Sequence, residues 1–253
     1  MTSDNQTKDR GGYDGFLLLG TLLLLGIGVV MVYSSSSMVA AKRFGSDTYF
    51  FERQVIYALA AILALVCCRH VPYSFYGTMA YPILGIAFVL LVVLYIPGVG
   101  YAVGGARRWL RVFGVSFQPS EFARVALIVY LAYSMSKKRE KIKTFSIGFI
   151  PHAILFSCFI TLIVTQPDFG MAAMIALIVL TMLFVGGVRL SYLFAALAGM
   201  VPLAYYVLIH AGYRLKRLAG FMDPWQYESD AGYQIVHSLM AFGSGGIFGA
   251  GIG

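Results

Sequence analysis

The sequence predicts an all-α fold, a polytopic integral membrane helical bundle of about seven spans, on three observations. Of its 253 residues, 59% are hydrophobic and only 12% are charged, whereas a soluble domain is about 45–50% apolar and about 25% charged. The mean hydropathy is +0.79. Seven apolar runs approach the roughly 20 residues that cross a bilayer. The same composition excludes a disordered chain, a collagen-like chain and a secreted disulfide scaffold. One membrane domain over residues 1–253 is expected, with a cytoplasmic tail at 1–14, a basic cytoplasmic loop at 137–143 and the start of a large outer loop at 211–253.

The expected spans are residues 16–33, 51–68, 76–95, 118–135, 145–164, 169–188 and 190–210. The first is too long for a signal-peptide core and no small-residue cleavage site follows it, so it is read as retained. The second has the least support. Only 55–68 is unbroken there, with Glu52 and Arg53 at its start. Pro151 and glycines such as Gly26 and Gly28 are compatible with spans, because neighbouring helices re-satisfy the backbone.

Orientation follows from basic residues near the span ends. Lys137-Lys138-Arg139-Glu140-Lys141-Ile142-Lys143 carries five positive charges in seven residues, which places that loop and, by alternation, the N-terminus in the cytoplasm. The basic residues then divide evenly, nine inside and nine outside, with Arg124 inside a span as the nineteenth. Six of the outer nine form two clusters, Arg107-Arg108-Trp109-Leu110-Arg111 and Arg214-Leu215-Lys216-Arg217. Outward basic clusters oppose the topological preference. Contact with lipid headgroups is one explanation; the sharper one is a held phosphate or pyrophosphate, which a bidentate guanidinium suits. The net charge of +8 points the same way, to anionic lipid or a lipid-linked anion rather than nucleic acid.

Two carboxylates stand at span mouths, Glu121 in Gln118-Pro119-Ser120-Glu121 and Asp168 in Gln166-Pro167-Asp168. Proline suits a first helical turn, and a carboxylate there faces the positive end of the helix dipole. Thr165, three residues before Asp168, has the spacing of a capping box. Arg124 lies one turn after Glu121 on the same face, and ionisable groups within a span normally face the bundle interior or a watery cavity. Capped helix starts and a polar cavity are compatible readings. Cys67, Cys68 and Cys158 read as small buried hydrophobes, and His70, His152, His210 and His237 as satisfied or interfacial residues without metal-ligand spacing. The closing glycine-rich run has no Gly-Lys-Ser/Thr ending and no preceding strand, so it is not a phosphate loop; a loop folded over the bundle is expected.

The chain resembles the SEDS family (shape, elongation, division and sporulation), the group of FtsW, RodA and SpoVE. The matching residues are Met31-Val32-Tyr33-Ser34-Ser35-Ser36, Arg53-Gln54, Gly105-Ala106-Arg107-Arg108-Trp109-Leu110, Gln118-Pro119-Ser120-Glu121-Phe122-Ala123-Arg124, Gln166-Pro167-Asp168-Phe169-Gly170, Met222-Asp223-Pro224-Trp225, and Gly232-Tyr233-Gln234 through Ser238-Leu239 to Gly243-Ser244-Gly245-Gly246. The first and third of these are more similar to the division and sporulation branch.

The resemblance implies a ten-span peptidoglycan glycosyltransferase of the bacterial cytoplasmic membrane that polymerises lipid II into glycan strands. It implies undecaprenyl-pyrophosphate-linked glycan as ligand, a class B penicillin-binding protein and other divisome or elongasome membrane proteins as partners, and a divalent cation, Mg or Mn, at an unknown site. The substrate-binding residues it suggests are Arg107, Arg108, Trp109, Gln118, Ser120, Glu121, Arg124, Gln166 and Asp168. It puts the catalytic aspartate after the glycine-rich segment, beyond Gly253, so the chain is expected to be a C-terminally truncated fragment, inactive alone; Asp223 matches a different position. Arg124 stands where the family commonly has Lys, and His237 where it usually has Gln. A lipid II transporter and a non-catalytic scaffold for a transpeptidase are the competing functions.

Overall fold

The computed structural model describes residues 14–103, 106–112, 115–209, 212–247, 249 and 251. Among the sequence expectations, the tail at 1–13, Gly105, His210 and the Arg214 side chain lie outside the described residues. The elements run α1 (Gly15–Phe44), α2 (Tyr49–His70), α3 (Tyr73–Val93), β1 (Gly100–Val103), β2 (Ala106–Val112), β3 (Val115–Phe117), α4 (Pro119–Lys137), α5 (Ile150–Thr165), α6 (Phe169–Val185), α7 (Leu190–Ile209), α8 (Gly212–Met222) and α9 (Tyr233–Gly245). A π-helical turn, Phe145–Phe149, leads into α5. The chain divides into two compact units, Pro72–Leu215 and a second made of Met1–Val71 with Lys216–Gly253.

In the second unit α1 and α2 form a hairpin. Asp14 caps α1 by accepting from the Phe16 and Leu17 amides, both at 3.1 Å. At the hairpin bend the Phe44 and Tyr49 rings stack at 4.0 Å, and Tyr33 meets Phe51 edge to face. The charges that interrupt the second apolar run are accommodated at the start of α2. The Thr48 hydroxyl donates to Glu52 at 2.7 Å, and the Arg53 guanidinium lies over the Tyr49 ring. The helix is therefore continuous over 22 residues. Ile56, Leu59, Leu63 on α2 and Leu17, Leu24, Ile27 on α1 are all more than half exposed. Apolar surface on this scale marks contact with lipid or with other protein.

The unit Pro72–Leu215 holds the core. On α4 the residues Ser120, Ala123, Leu127, Tyr130, Leu131 and Ser134 are buried, a stripe at spacings of three and four that presents one face to its neighbours. The matching stripe on α3 is Ala80, Leu84, Ala87 and Leu91, and on α6 Ala172, Ile175, Ala176, Val179 and Leu183. Alanine on all three lets helix backbones approach closely, the main source of packing energy where lipid removes the hydrophobic contrast. Tyr81 packs edge to face on Tyr130, and Phe88 likewise on Phe159. His152 is fully buried. Its Nδ1 bonds the Gly148 carbonyl at 2.7 Å and its Nε2 the Ser134 hydroxyl at 3.0 Å, so it is a satisfied core histidine that ties α5 to α4.

Among the described residues, four helical stretches are long and apolar enough to cross a membrane: α1, α2, α3 and Phe145–Thr165. Apolar but shorter are α6 and Leu190–Leu203 of α7. The 17 residues of α6 extend about 26 Å at 1.5 Å per residue, close to the hydrocarbon thickness of about 30 Å. The fourth expected span, α4, carries Glu121 and Arg124 and is largely sheltered by neighbours. The protein is thus a multi-pass, mainly helical membrane protein.

Three expectations need correction. The segment before α4, where hydropathy suggested only a loop, contains an antiparallel sheet of order β1-β2-β3. Its strands are too short and too mixed in polarity to register as periodic. The three cysteines are exposed, because they sit on outer apolar faces of α2 and α5 rather than in the packed stripe. The glycine-rich end begins as helix α9, not as loop.

Candidate functional site

The sheet positions the first basic cluster. In the pairing of β1 with β2, Tyr101 opposes Trp109 and Ala102 opposes Arg107, so the register shifts by one residue and Arg108 has no β1 partner. This is a β-bulge, a device that redirects a side chain and tightens local twist. Leu110 and Ala106, on either side of it, are buried, while Arg107 and Arg111 are exposed. The Arg111 guanidinium lies 5.1 Å from the centroid of the Tyr101 ring, and the Tyr101 hydroxyl donates to Ser116 on β3.

From the bulge, Arg108 Nη1 reaches Asp168 Oδ1 at 3.4 Å. Gln118, immediately before α4, donates from Nε2 to Asp168 Oδ2 at 2.8 Å. The Met171 amide donates to Asp168 Oδ1 at 3.3 Å, making Asp168 the N-cap of α6. The Asp168 side chain is only 8% exposed, and a buried carboxylate is tolerable when paired and hydrogen-bonded. One carboxylate thus joins β2, the start of α4 and the start of α6. The capping box proposed from Thr165 is not formed: Thr165 ends α5 and its hydroxyl donates to the Thr161 carbonyl at 2.7 Å, which leaves capping to Asp168 itself.

Glu121 and Arg124 form the pair expected from their spacing, at 2.5 Å. Arg124 also directs Nη1 at the Met174 sulfur, 3.1 Å away on α6. Both side chains are substantially exposed, so the pair contributes only about 0.3–0.5 kcal/mol, and its charges face away from the packed stripe. Gln166 is buried and donates to the Leu91 carbonyl at 3.1 Å. It fastens the α5–α6 turn to the end of α3, and its amide is directed there rather than towards Asp168. Beside it the Tyr95 hydroxyl bonds the Leu162 carbonyl and the Thr165 hydroxyl. Ser120 is almost completely buried. Its Oγ and Arg108 Nε have no hydrogen-bond partner, two unsatisfied polar atoms in a site where buried polar groups are normally paired.

The site can hold an anion. Arg108 remains about one-third exposed, positioned by Asp168, with Arg107 next to it in sequence and exposed. No group of three His, Cys, Asp or Glu side chains comes together among the described residues, and both carboxylates of the site face an arginine.

Fold and site together define a multi-pass membrane protein in which a small sheet is fastened to helix ends through a buried ion pair. A family profile described as "Cell cycle protein", FTSW_RODA_SPOVE, matches residues 16–253. The chain belongs to this family, on the side of its FtsW and SpoVE members. It is 41% identical over 241 residues to "Probable peptidoglycan glycosyltransferase FtsW" of Trichlorobacter lovleyi, covering 95% of the chain and 63% of that protein. It is 39% identical over 250 residues to "Stage V sporulation protein E" of Bacillus subtilis, covering 98% and 68%. The crystal structure of the rod shape determining protein RodA of Thermus thermophilus matches with a TM-score of 0.62 at 25% identity, over 77% of this chain and 60% of that one. A structure titled "Structural coordination of polymerization and crosslinking by a peptidoglycan synthase complex" shares the fold, with a TM-score of 0.63 at 24% identity over 88% and 66%. The chain spans 63% of the length of the Trichlorobacter relative and 66% of that of a Geobacter one.

Proposed function

We propose that this protein is a peptidoglycan glycosyltransferase of the bacterial cytoplasmic membrane, N-terminus in the cytoplasm, that polymerises lipid II into glycan strands on the outer face. One observation carries the reading. Three separate family motifs, those containing Arg108, Gln118 and Asp168, meet in a single hydrogen-bonded cluster whose remaining exposed charge is a guanidinium. A guanidinium suits the pyrophosphate of a lipid-linked donor. The relatives' names and the family support the same reading.

In the reaction, the acceptor sugar hydroxyl attacks the anomeric carbon of the donor. The new glycosidic C–O bond forms as the bond to the pyrophosphate oxygen breaks, and undecaprenyl pyrophosphate leaves with the bonding electrons. Arg108, with Arg107 beside it, stabilises the charge that develops on the leaving group. Asp168 is a positioning residue that fixes Arg108. Glu121 and Arg124 line and charge the approach to the site. The hydroxyl proton goes to a carboxylate base, a contribution of about 10²–10⁴-fold, for which the resemblance provides the aspartate following the glycine-rich segment. A class B penicillin-binding protein crosslinks the product.

The test is glycan-strand formation from purified lipid II by the full-length protein reconstituted with its penicillin-binding protein. Strands longer than the disaccharide unit are expected. Movement of lipid II across vesicles without any polymer would replace this reading with the transporter, and neither activity would leave the scaffold.

A further inference from the structure

We propose that the segment from Trp225 to Ser229 and the first turns of α9, made of residues other than those of the Arg108–Asp168 cluster, form a carbohydrate-binding subsite that holds the sugar rings of an N-acetylhexosamine strand. The identity of the glycan rests on the polymerase reading; the subsite itself rests on the groove. A cavity of about 390 Å³ is lined by Trp225, Gln226, Glu228, Ser229, Tyr233 and His237, a volume within the range of small-molecule sites.

Its chemistry is that of a sugar site. Trp225 is 56% and Tyr233 51% exposed, so both aromatic side chains are open to a ligand. Tyr233 and His237, one turn apart on α9, have ring centroids 3.9 Å apart and planes inclined by 32°. The His237 Nδ1 bonds the Tyr233 carbonyl at 2.9 Å, which fixes that wall. Aromatic rings offer large contact area to the C–H faces of a pyranose. Between them stand an amide that donates and accepts, a hydroxyl that does both and a carboxylate that accepts, the complement of ring hydroxyls and acetamido groups. None of the described residues lining the groove is a lysine or arginine, and Glu228 opposes a phosphate.

The groove is preformed. Gly232 donates to the Tyr227 carbonyl at 2.8 Å, and a Cβ on Gly232 would come within 2.3 Å of the Pro224 carbonyl oxygen. Only glycine lets the segment close on itself in this way. Asp223 Oδ1 accepts from the Gln226 amide, so this aspartate braces the turn.

Trp225 lines the groove, so the emission of the full-length protein is compared with that of its Trp225→Phe variant, and the difference reports Trp225. Titration with a soluble β-1,4-linked N-acetylglucosamine tetramer is expected to give a saturable change. Binding should weaken about tenfold in Tyr233→Ala, the loss of one aromatic face, and less in His237→Gln and in the surface variant Glu228→Gln. Absence of a saturable change, or equal affinity in all three variants, overturns the proposal. Binding is read without turnover: an inactive protein that still binds sinks only the polymerase reading, and a polymerising protein whose Trp225 ignores the tetramer sinks only the subsite.

Discussion

Asp168→Ala is expected to destabilise the unit Pro72–Leu215 by about 3 kcal/mol and to release the sheet from the helix ends. The carboxylate is nearly buried and accepts from Arg108, Gln118 and the Met171 amide. Breaking a buried ion pair by removing one partner costs about 3–5 kcal/mol, and losing an N-cap about 1 kcal/mol. Arg108 is about one-third exposed, so water recovers part of its loss, which brings the sum down. Asp168→Asn keeps the α6 cap, turns an N–H towards Gln118, whose side-chain amide can flip to accept it, and is expected to lose about half as much. Thermal unfolding of the purified protein gives both values, and limited proteolysis between residues 100 and 117 reads the release of the sheet. A small loss in Asp168→Ala with none in Asp168→Asn would mean that the cap alone matters.

The second large effect is expected at Gly148, in the π-helical turn before α5. A Cβ there would lie 1.8 Å from the Ile142 carbonyl oxygen and 2.5 Å from its carbon. Backbone atoms cannot rotate aside as a side chain does, so Gly148→Ala must displace the turn. The Gly148 carbonyl also holds His152, so the displacement disturbs the α4–α5 contact through Ser134. Overpacking typically costs about 1–3 kcal/mol and occasionally more, and this site belongs at the upper end. Gly199→Ala is the control. It lies within α7 with nothing within 4 Å of the added atom, so a gain of about 0.5–1 kcal/mol is expected from helix propensity. Equal stability of the two variants in thermal unfolding would contradict the packing described here.

Much of the helical frame was legible because apolar runs and proline-led starts carry local signals. Pro119 and Asp168 marked the beginnings of α4 and α6, and Glu121 with Arg124 was readable from one-turn spacing. Arg108 was readable as a basic residue of interest but not as the partner of Asp168. That pairing depends on a one-residue bulge, which leaves no mark in composition, and on a sheet whose strands are three to seven residues long. Gln166 shows the same limit. Its partner carbonyl is 75 residues away, and only packing brings them together. The spacing of Thr165 and Asp168 was misleading for a simpler reason: α5 continues to Thr165 and uses its hydroxyl before α6 begins. The groove beside α9 escaped because its glycines read as loop, whereas Gly232 closes a turn and Gly243 and Gly245 belong to α9.

The central claim is that the motifs meeting at Asp168 hold Arg108 for the pyrophosphate of a lipid-linked donor. The most direct measurement is the KM for lipid II of full-length wild type and Arg108→Lys, each reconstituted with the penicillin-binding protein. Lysine preserves the charge beside Asp168 and removes the planar, bidentate donor. The expected result is a rise in KM of about tenfold with unfolding temperature nearly unchanged. An unchanged KM and rate in a folded Arg108→Lys protein would contradict it.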